Sequence, residues 1–187
     1  MSVWKRENYL SDYVSTRTAN GKKRWLYQGD LYCCRAVDER KWKRYRPVLL
    51  AFSLLDFALF VAASLVNPAS MHIPGALYVL IPYALACLAC IMGLARAIHL
   101  QFVPWKMERM DYDKCILSLR RYTVAITVLC GATGLAQLAY IIIQQAFSAN
   151  EWLTALLCLA AAGINWISYR LQNRHVCQNI GKAPQTP

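Results

Sequence analysis

Four long stretches of this chain are almost free of charged residues. Each is about 18 to 24 residues long, and together they cover residues 47–66, 73–95, 122–145 and 152–169. A helix rises ~1.5 Å per residue, so about 20 apolar residues suffice to cross a hydrocarbon layer ~30 Å thick. Lipid offers the backbone no hydrogen-bond partner, so a segment in a bilayer must be helical. The sequence therefore predicts an all-α, polytopic integral membrane protein with an antiparallel four-helix transmembrane bundle.

Basic residues are distributed asymmetrically around these stretches. Of the 21 lysines and arginines, 12 precede Pro47, six lie between Arg96 and Arg121, and three follow Tyr169. The connection after the first stretch and the connection after the third contain none. Basic residues in short loops are retained on the cytoplasmic side of a membrane. We therefore predict that both termini are cytoplasmic, in a plasma or inner membrane.

The net charge of +11 could suggest a nucleic-acid partner. The charges, however, flank apolar segments, where anionic head groups attract each lysine or arginine by about 1 kcal/mol. We expect the bilayer and its anionic inner-leaflet lipids to be the partner of these charges, and no nucleic acid. For the basic segment before Pro47, a solvated collar is favoured over specific lipid recognition.

Three regions follow from this pattern. Residues 1–36 are a basic, aromatic N-terminal module, residues 37–171 the transmembrane domain, and residues 172–187 a short cytoplasmic tail. Within this tail, the polar residues 179–187 are expected to lack structure. Asn20-Gly21 in the module is a strong β-hairpin signal, because both residues tolerate the positive φ of a type I′ turn. An isolated hairpin is marginal in water. We therefore expect it to lean on the membrane face or on the middle loop.

Two further local patterns carry predictions. The middle loop predicts an amphipathic cytoplasmic helix over about 104–121, lying on the inner leaflet before the third span. Before the fourth span, Ser148 and Glu151 have the spacing of a capping box, in which each residue satisfies a backbone N–H of the other.

Asp56 lies about halfway along the first stretch, ten residues from Arg46. Each stretch has a stripe of small or polar residues, and such stripes face neighbouring helices in lipid, where close packing and hydrogen bonds drive association. Asp56 belongs to its stripe, and no Lys, Arg or His lies at its depth. Its partner must be a hydroxyl, thiol, amide, water or backbone group, or another copy of the chain. The candidate intramembrane polar site comprises Asp56, Ser53, Thr127, Gln137 and Asn165.

Two interpretations of Asp56 remain open. In the favoured one, it is a neutral acid whose hydrogen bonds clamp the bundle. In the other, it is a proton or cation site of a small transporter, a hypothesis that any ionisable group inside a membrane raises. A homodimer is compatible with either interpretation.

The chain has eight cysteines, none of them in the two connections without basic residues. A disulfide framework on the oxidising side is therefore not expected. Cys87 and Cys90 form a C-x-x-C pair, which raises the hypothesis of a thiol redox protein. The pair lies mid-span, however, and not at the helix N-terminus that lowers a thiol pKa in such enzymes. We expect small packing residues instead, without a metal.

No catalytic motif or cofactor-binding loop is present in the sequence. We therefore predict no enzyme and no cofactor. The favoured function is an interaction or accessory subunit whose protein partner docks on the N-terminal module. The alternatives are a small proton- or cation-coupled transporter that uses Asp56 and an intramembrane thiol redox protein that uses Cys87 and Cys90.

Overall fold

Four long helices make up most of the structure, a computed structural model that describes residues 11–17, 23–34, 38–66, 68–174 and 177–182. They are α1 (Glu39–Val66), α2 (Leu77–Leu100), α3 (Ser118–Gln144) and α4 (Ala149–Arg174). By length and composition, each is apolar enough to cross a membrane. The four predicted helical segments are therefore present.

The largest difference from the predicted bounds is at the start of α1, which begins at Glu39, eight residues before Pro47. Helix α2 differs at both ends. This helix begins at Leu77, because two short 3-10 turns, Ala69–Met71 and Pro74–Ala76, occupy the connection before it. Proline suits the first position of a turn, where its missing N–H has no partner to lose. At its other end, α2 continues to Leu100, five residues past the predicted limit.

The helices form a closed ring in chain order. Each helix packs against its neighbours in sequence, and α4 packs against α1. The approach of α3 to α4 depends on Gly134, where an added Cβ would lie only 2.8 Å from Leu159 Cγ. Glycine permits this close approach because it has no side chain, as in other helix pairs with small residues at the contact.

The predicted inward stripes are largely buried. On α2, the four stripe members lie in the interior: Ala86, Cys90, Gly93 and Ala97. Cys90 packs in one cluster with Cys130 of α3 and Cys158 of α4. A second cluster surrounds Trp42 at the end of the bundle that carries most lysines and arginines, which we call the basic end. The small residues thus lie where helices meet.

The predicted hairpin is present at the basic end. Strands β1 (Tyr13–Arg17) and β2 (Lys23–Tyr27) pair antiparallel, with Tyr13 opposite Tyr27. The Asn20-Gly21 turn lies outside the described residues. The Tyr13 hydroxyl donates a hydrogen bond to the Glu108 carboxylate, and the Arg109 N–H donates to the Tyr27 hydroxyl at 3.1 Å. Burial and the Glu108 carboxylate raise the pKa of Tyr13, so it remains a donor at neutral pH. The hairpin therefore leans on the middle loop.

A second sheet corrects two predictions. Strand β3 (Asp30–Cys34) lies between β4 (Met107–Glu108) and β5 (Cys177–Lys182), and both pairings are antiparallel. Residues 179–187 were expected to lack structure, but 179–182 belong to β5. The predicted helix over 104–121 instead begins at Arg109, passes through a π-helical segment, Tyr112–Leu117, and continues into α3. Both corrections have one cause. A strand alone has unpaired backbone N–H and C=O groups along both edges, and β4 and β5 pair with these groups of β3.

Candidate functional site: two buried carboxylates in the bundle

Asp56 joins three helices. Its side chain is 2% exposed. The Cys90 thiol of α2 donates to Oδ2 at 3.1 Å, and the Asn165 amide of α4 donates to Oδ1 at 2.6 Å. The partners are a thiol and an amide, two of the classes expected from the sequence. Each carboxylate oxygen therefore has a protein donor.

Asn165 is held in place by its own helix. Its amide nitrogen also donates to the Ala161 carbonyl oxygen at 2.9 Å, one turn earlier in α4. This second bond fixes the orientation of the amide towards Asp56. The contact therefore links α1 and α4 through a preoriented donor, which reduces the ordering cost of the pair.

Two predicted members of the polar site do not bond to Asp56. The Ser53 hydroxyl donates to the Leu49 carbonyl oxygen at 3.1 Å, and the Thr127 hydroxyl donates to the Thr123 carbonyl oxygen at 2.8 Å. Such bonds to the preceding turn are common for Ser and Thr within helices. The structure therefore does not bring these two hydroxyls into hydrogen bonds with Asp56, and both bond within their own helices.

Gln137 belongs to a second polar site, which lies at the end of the bundle opposite the basic end. There, Glu151 of α4 is 1% exposed, and Ser70 lies in the connection between α1 and α2. The Ser70 N–H donates to Glu151 Oε1 at 3.1 Å, and its hydroxyl donates to Oε2 at 2.8 Å. The Gln137 amide also donates to Oε2. Through these hydrogen bonds, Glu151 links the connection between α1 and α2 to helices α3 and α4.

The Glu151 site corrects the predicted capping box. Its first half is present, since the Glu151 N–H donates to the Ser148 hydroxyl at 3.3 Å. The Ser148 N–H, however, donates to the Ala146 carbonyl oxygen, and the Glu151 side chain turns inward. The sequence contained one signal for this site. Gln137 lies on the inward stripe near the end of α3, and its buried side-chain amide requires a hydrogen-bond partner.

The two carboxylates are far apart along the bundle axis. Asn165 and Glu151 are separated by 14 residues of α4, or about 21 Å. Between them, the Ser64 hydroxyl lies 2.6 Å from the Tyr83 hydroxyl, but Ser64 is eight residues, or about 12 Å, from Asp56 along α1. A hydrogen bond spans only about 3 Å. The described side chains therefore do not form a continuous relay from one carboxylate to the other.

The thiols pack as apolar groups. Cys90 is buried, and its hydrogen faces Asp56. Cys87 is partly buried, and the cysteines whose side chains are described are free thiols. Among the described residues, no group of three His, Cys, Asp or Glu is placed to hold a metal ion.

Taken together, these contacts connect helices by hydrogen bonds between buried polar groups. Both carboxylates are shielded from solvent, and donors from at least two other parts of the chain contact each of them. Such an arrangement can stabilise and orient a bundle. No protein-family model matches the chain, and neither does any curated protein or solved structure.

Proposed function

We propose that the chain is an integral membrane protein with both termini in the cytoplasm, and that it acts as a non-catalytic interaction or accessory subunit. The observation that carries the proposal is that each carboxylate oxygen of Asp56 and Glu151 accepts a hydrogen bond from the chain itself. These bonds join different helices and one connection of the bundle. Their arrangement supports a structural role.

The working surface, on this proposal, is at the basic end. The hairpin of β1 and β2 presents Trp25, whose side chain is 64% exposed. Tryptophan is enriched among the residues that dominate the binding energy of protein interfaces. The second sheet joins segments from the start, middle and end of the chain. It supports the hairpin through the contact between Arg109, directly after β4, and Tyr27. We propose that a protein partner docks around Trp25.

Replacing Trp25 with serine is expected to abolish co-purification of a specific partner in mild detergent. Loss of an anchoring tryptophan costs about 2 kcal/mol or more in binding, which is roughly thirtyfold in affinity. Photo-crosslinking from position 25 should give one discrete adduct. Phe147→Ser is the matched control, because Phe147 is 67% exposed at the opposite end. If the parent chain, Trp25→Ser and Phe147→Ser captured the partner equally, docking at Trp25 would be contradicted.

The proposed topology predicts which residues a membrane-impermeant thiol reagent reaches from outside intact cells. His72→Cys, in the exposed connection between α1 and α2, should be labelled. Lys106→Cys, exposed at the basic end, should be labelled only after the membrane is permeabilised. The unsubstituted chain controls for its native cysteines. The reverse pattern would show that the basic end faces outward.

A proton- or cation-coupled transporter using Asp56 remains the second candidate. The observation that favours it is the carboxyl group itself, buried inside a bundle of apolar helices. The thiol redox hypothesis gains no support, because the Cys90 thiol is buried and donates to Asp56.

A further inference from the structure

We propose that a groove between α1 and α4, near the basic end, binds an anionic phospholipid. Arg170 and Arg174 would hold the phosphate, and one acyl chain would lie along the apolar lining. This inference rests on the proposed membrane location but not on the proposed protein partner. It differs from a diffuse basic collar, because it assigns the head group to two arginines of α4.

The groove has a volume of about 370 Å³ and opens on the outer surface of the bundle. Its lining combines aromatic and aliphatic side chains with two arginines: Phe52, Trp166, Ile167, Arg170, Leu171 and Arg174. Phe52 is contributed by α1, and the others belong to α4. The groove contains no acidic residue, so its charge is positive throughout.

The Asp56–Asn165 contact fixes the level of the groove along the bundle. Arg170 lies five residues beyond Asn165 and Arg174 nine, or about 8 Å and 14 Å towards the basic end. On α1, Arg46 lies ten residues from Asp56 in the same direction, or about 15 Å. Arg174 is therefore nearly level with Arg46, and Arg170 lies about one turn deeper. Long basic side chains at this depth reach towards head groups while their stems cover apolar surface.

Arg170 is oriented by an aromatic contact. Its guanidinium carbon lies 4.9 Å from the centroid of the Trp166 ring. A guanidinium stacked on a ring keeps its N–H groups directed outward in its plane, where they can hold a phosphate at two points. Among the described residues, the salt bridge of the structure joins Lys43 and Glu39, away from this groove. Among the residues that the structure describes, no carboxylate therefore forms a salt bridge with Arg170 or Arg174.

The apolar lining favours a phospholipid over a free anion. Phe52, Ile167 and Leu171 offer an acyl chain a surface that inorganic phosphate would leave uncovered. Within a membrane, this contact contributes through close packing of the acyl chain against these side chains. Basic pockets between helices on the cytoplasmic side are recognised sites for anionic head groups. Both parts of the groove therefore fit one molecule of anionic phospholipid.

The test measures lipid binding by the full-length protein in neutral detergent, by native mass spectrometry. Phosphatidylglycerol is titrated against phosphatidylcholine with the same chains, and glycerol phosphate serves as a head group without chains. Phosphatidylglycerol should bind most tightly. Arg170→Gln combined with Arg174→Gln should weaken it roughly twentyfold, whereas phosphatidylcholine binding should be unchanged. The matched control, Lys106→Gln with Arg121→Gln, removes two exposed charges outside the groove and should change binding less than about threefold.

Three results would overturn the site. Equal weakening in the two double variants would show that only the collar of charge attracts the lipid. Equal binding of the two phospholipids would show a non-specific lipid layer. Competition by glycerol phosphate as strong as by phosphatidylglycerol would show a free-anion site. If the double variant does not fold, Arg174→Gln alone is tested and should weaken binding about fivefold. Unchanged binding in this single variant would also overturn the site. Capture of a protein partner through Trp25 is measured in a separate experiment. Failure of the lipid site can therefore be distinguished from failure of the proposed partner docking.

Discussion

Replacing Glu151 with leucine is expected to lower the free energy of unfolding by about 2–4 kcal/mol. The substitution removes the acceptor of the Ser70 N–H and hydroxyl and of the Gln137 amide. Ser70 and Gln137 can still bond to each other, but the buried Ser70 N–H would lose its partner. A buried donor without an acceptor costs about 1–3 kcal/mol, and the lost side-chain bonds add to this.

The measurement is reversible unfolding in mild-detergent micelles titrated with SDS, followed by far-ultraviolet circular dichroism. Glu151→Gln retains an acceptor oxygen and should cost less than about 1 kcal/mol. Asn150→Leu, at the exposed neighbouring position, is the matched control and should change stability by less than about 0.5 kcal/mol. A leucine at 151 as stable as the parent chain would contradict the structural role of Glu151.

Replacing Asp56 with leucine is expected to lower the free energy of unfolding by about 1–2 kcal/mol. Leucine branches at Cγ as aspartate does, with larger terminal groups, but it leaves the Cys90 thiol and one Asn165 amide bond without an acceptor. Asp56→Asn keeps an acceptor for Asn165, so its cost should be less than about 1 kcal/mol. Ser53→Ala, one turn away on α1, is the control, because the Ser53 hydroxyl bonds only to its own helix among the contacts described.

A double-mutant cycle with Asn165→Leu isolates the contact between α1 and α4. Hydrogen bonds between helices in membranes contribute about 0.6 kcal/mol on average and about 1.7 kcal/mol at most. We expect a coupling energy near the upper value, because the Asn165 amide is preoriented by Ala161. A coupling energy of zero would mean that Asp56 does not clamp these helices.

The helices and the chemical classes of the Asp56 partners were predictable from the sequence, whereas Cys90 was not predicted as a member of the polar site. Long charge-free stretches specify helices, and stripes of small residues specify their inward faces. At the depth of Asp56, the sequence offers no basic residue, which leaves thiols and amides among the few donors. Cys90 and Asn165 meet Asp56 for this reason. A stripe does not reveal that a hydroxyl bonds to its own helix, as the Ser53 and Thr127 hydroxyls do.

The remaining features depend on pairings between distant segments. Glu151 fits a helix start locally, and only the folded chain brings Ser70, 81 positions away, to its carboxylate. Likewise, β3 and β5 lie at opposite ends of the chain, and Asn179 donates to the Asp30 carboxylate at 2.9 Å across 149 positions. The tail is polar and contains Gly181, so its sequence carries little strand signal of its own.

Proton movement into proteoliposomes tests most directly whether the buried carboxylates serve structure or transport. Vesicles containing the purified chain and an internal pH-sensitive dye are exposed to imposed sodium, potassium and proton gradients. The proposed structural role predicts that internal pH changes no faster than in protein-free vesicles, for the parent chain and for Asp56→Asn alike. A cation-driven pH change in the parent chain that Asp56→Asn abolishes, with unfolding unchanged, would contradict it and identify Asp56 as a coupling site.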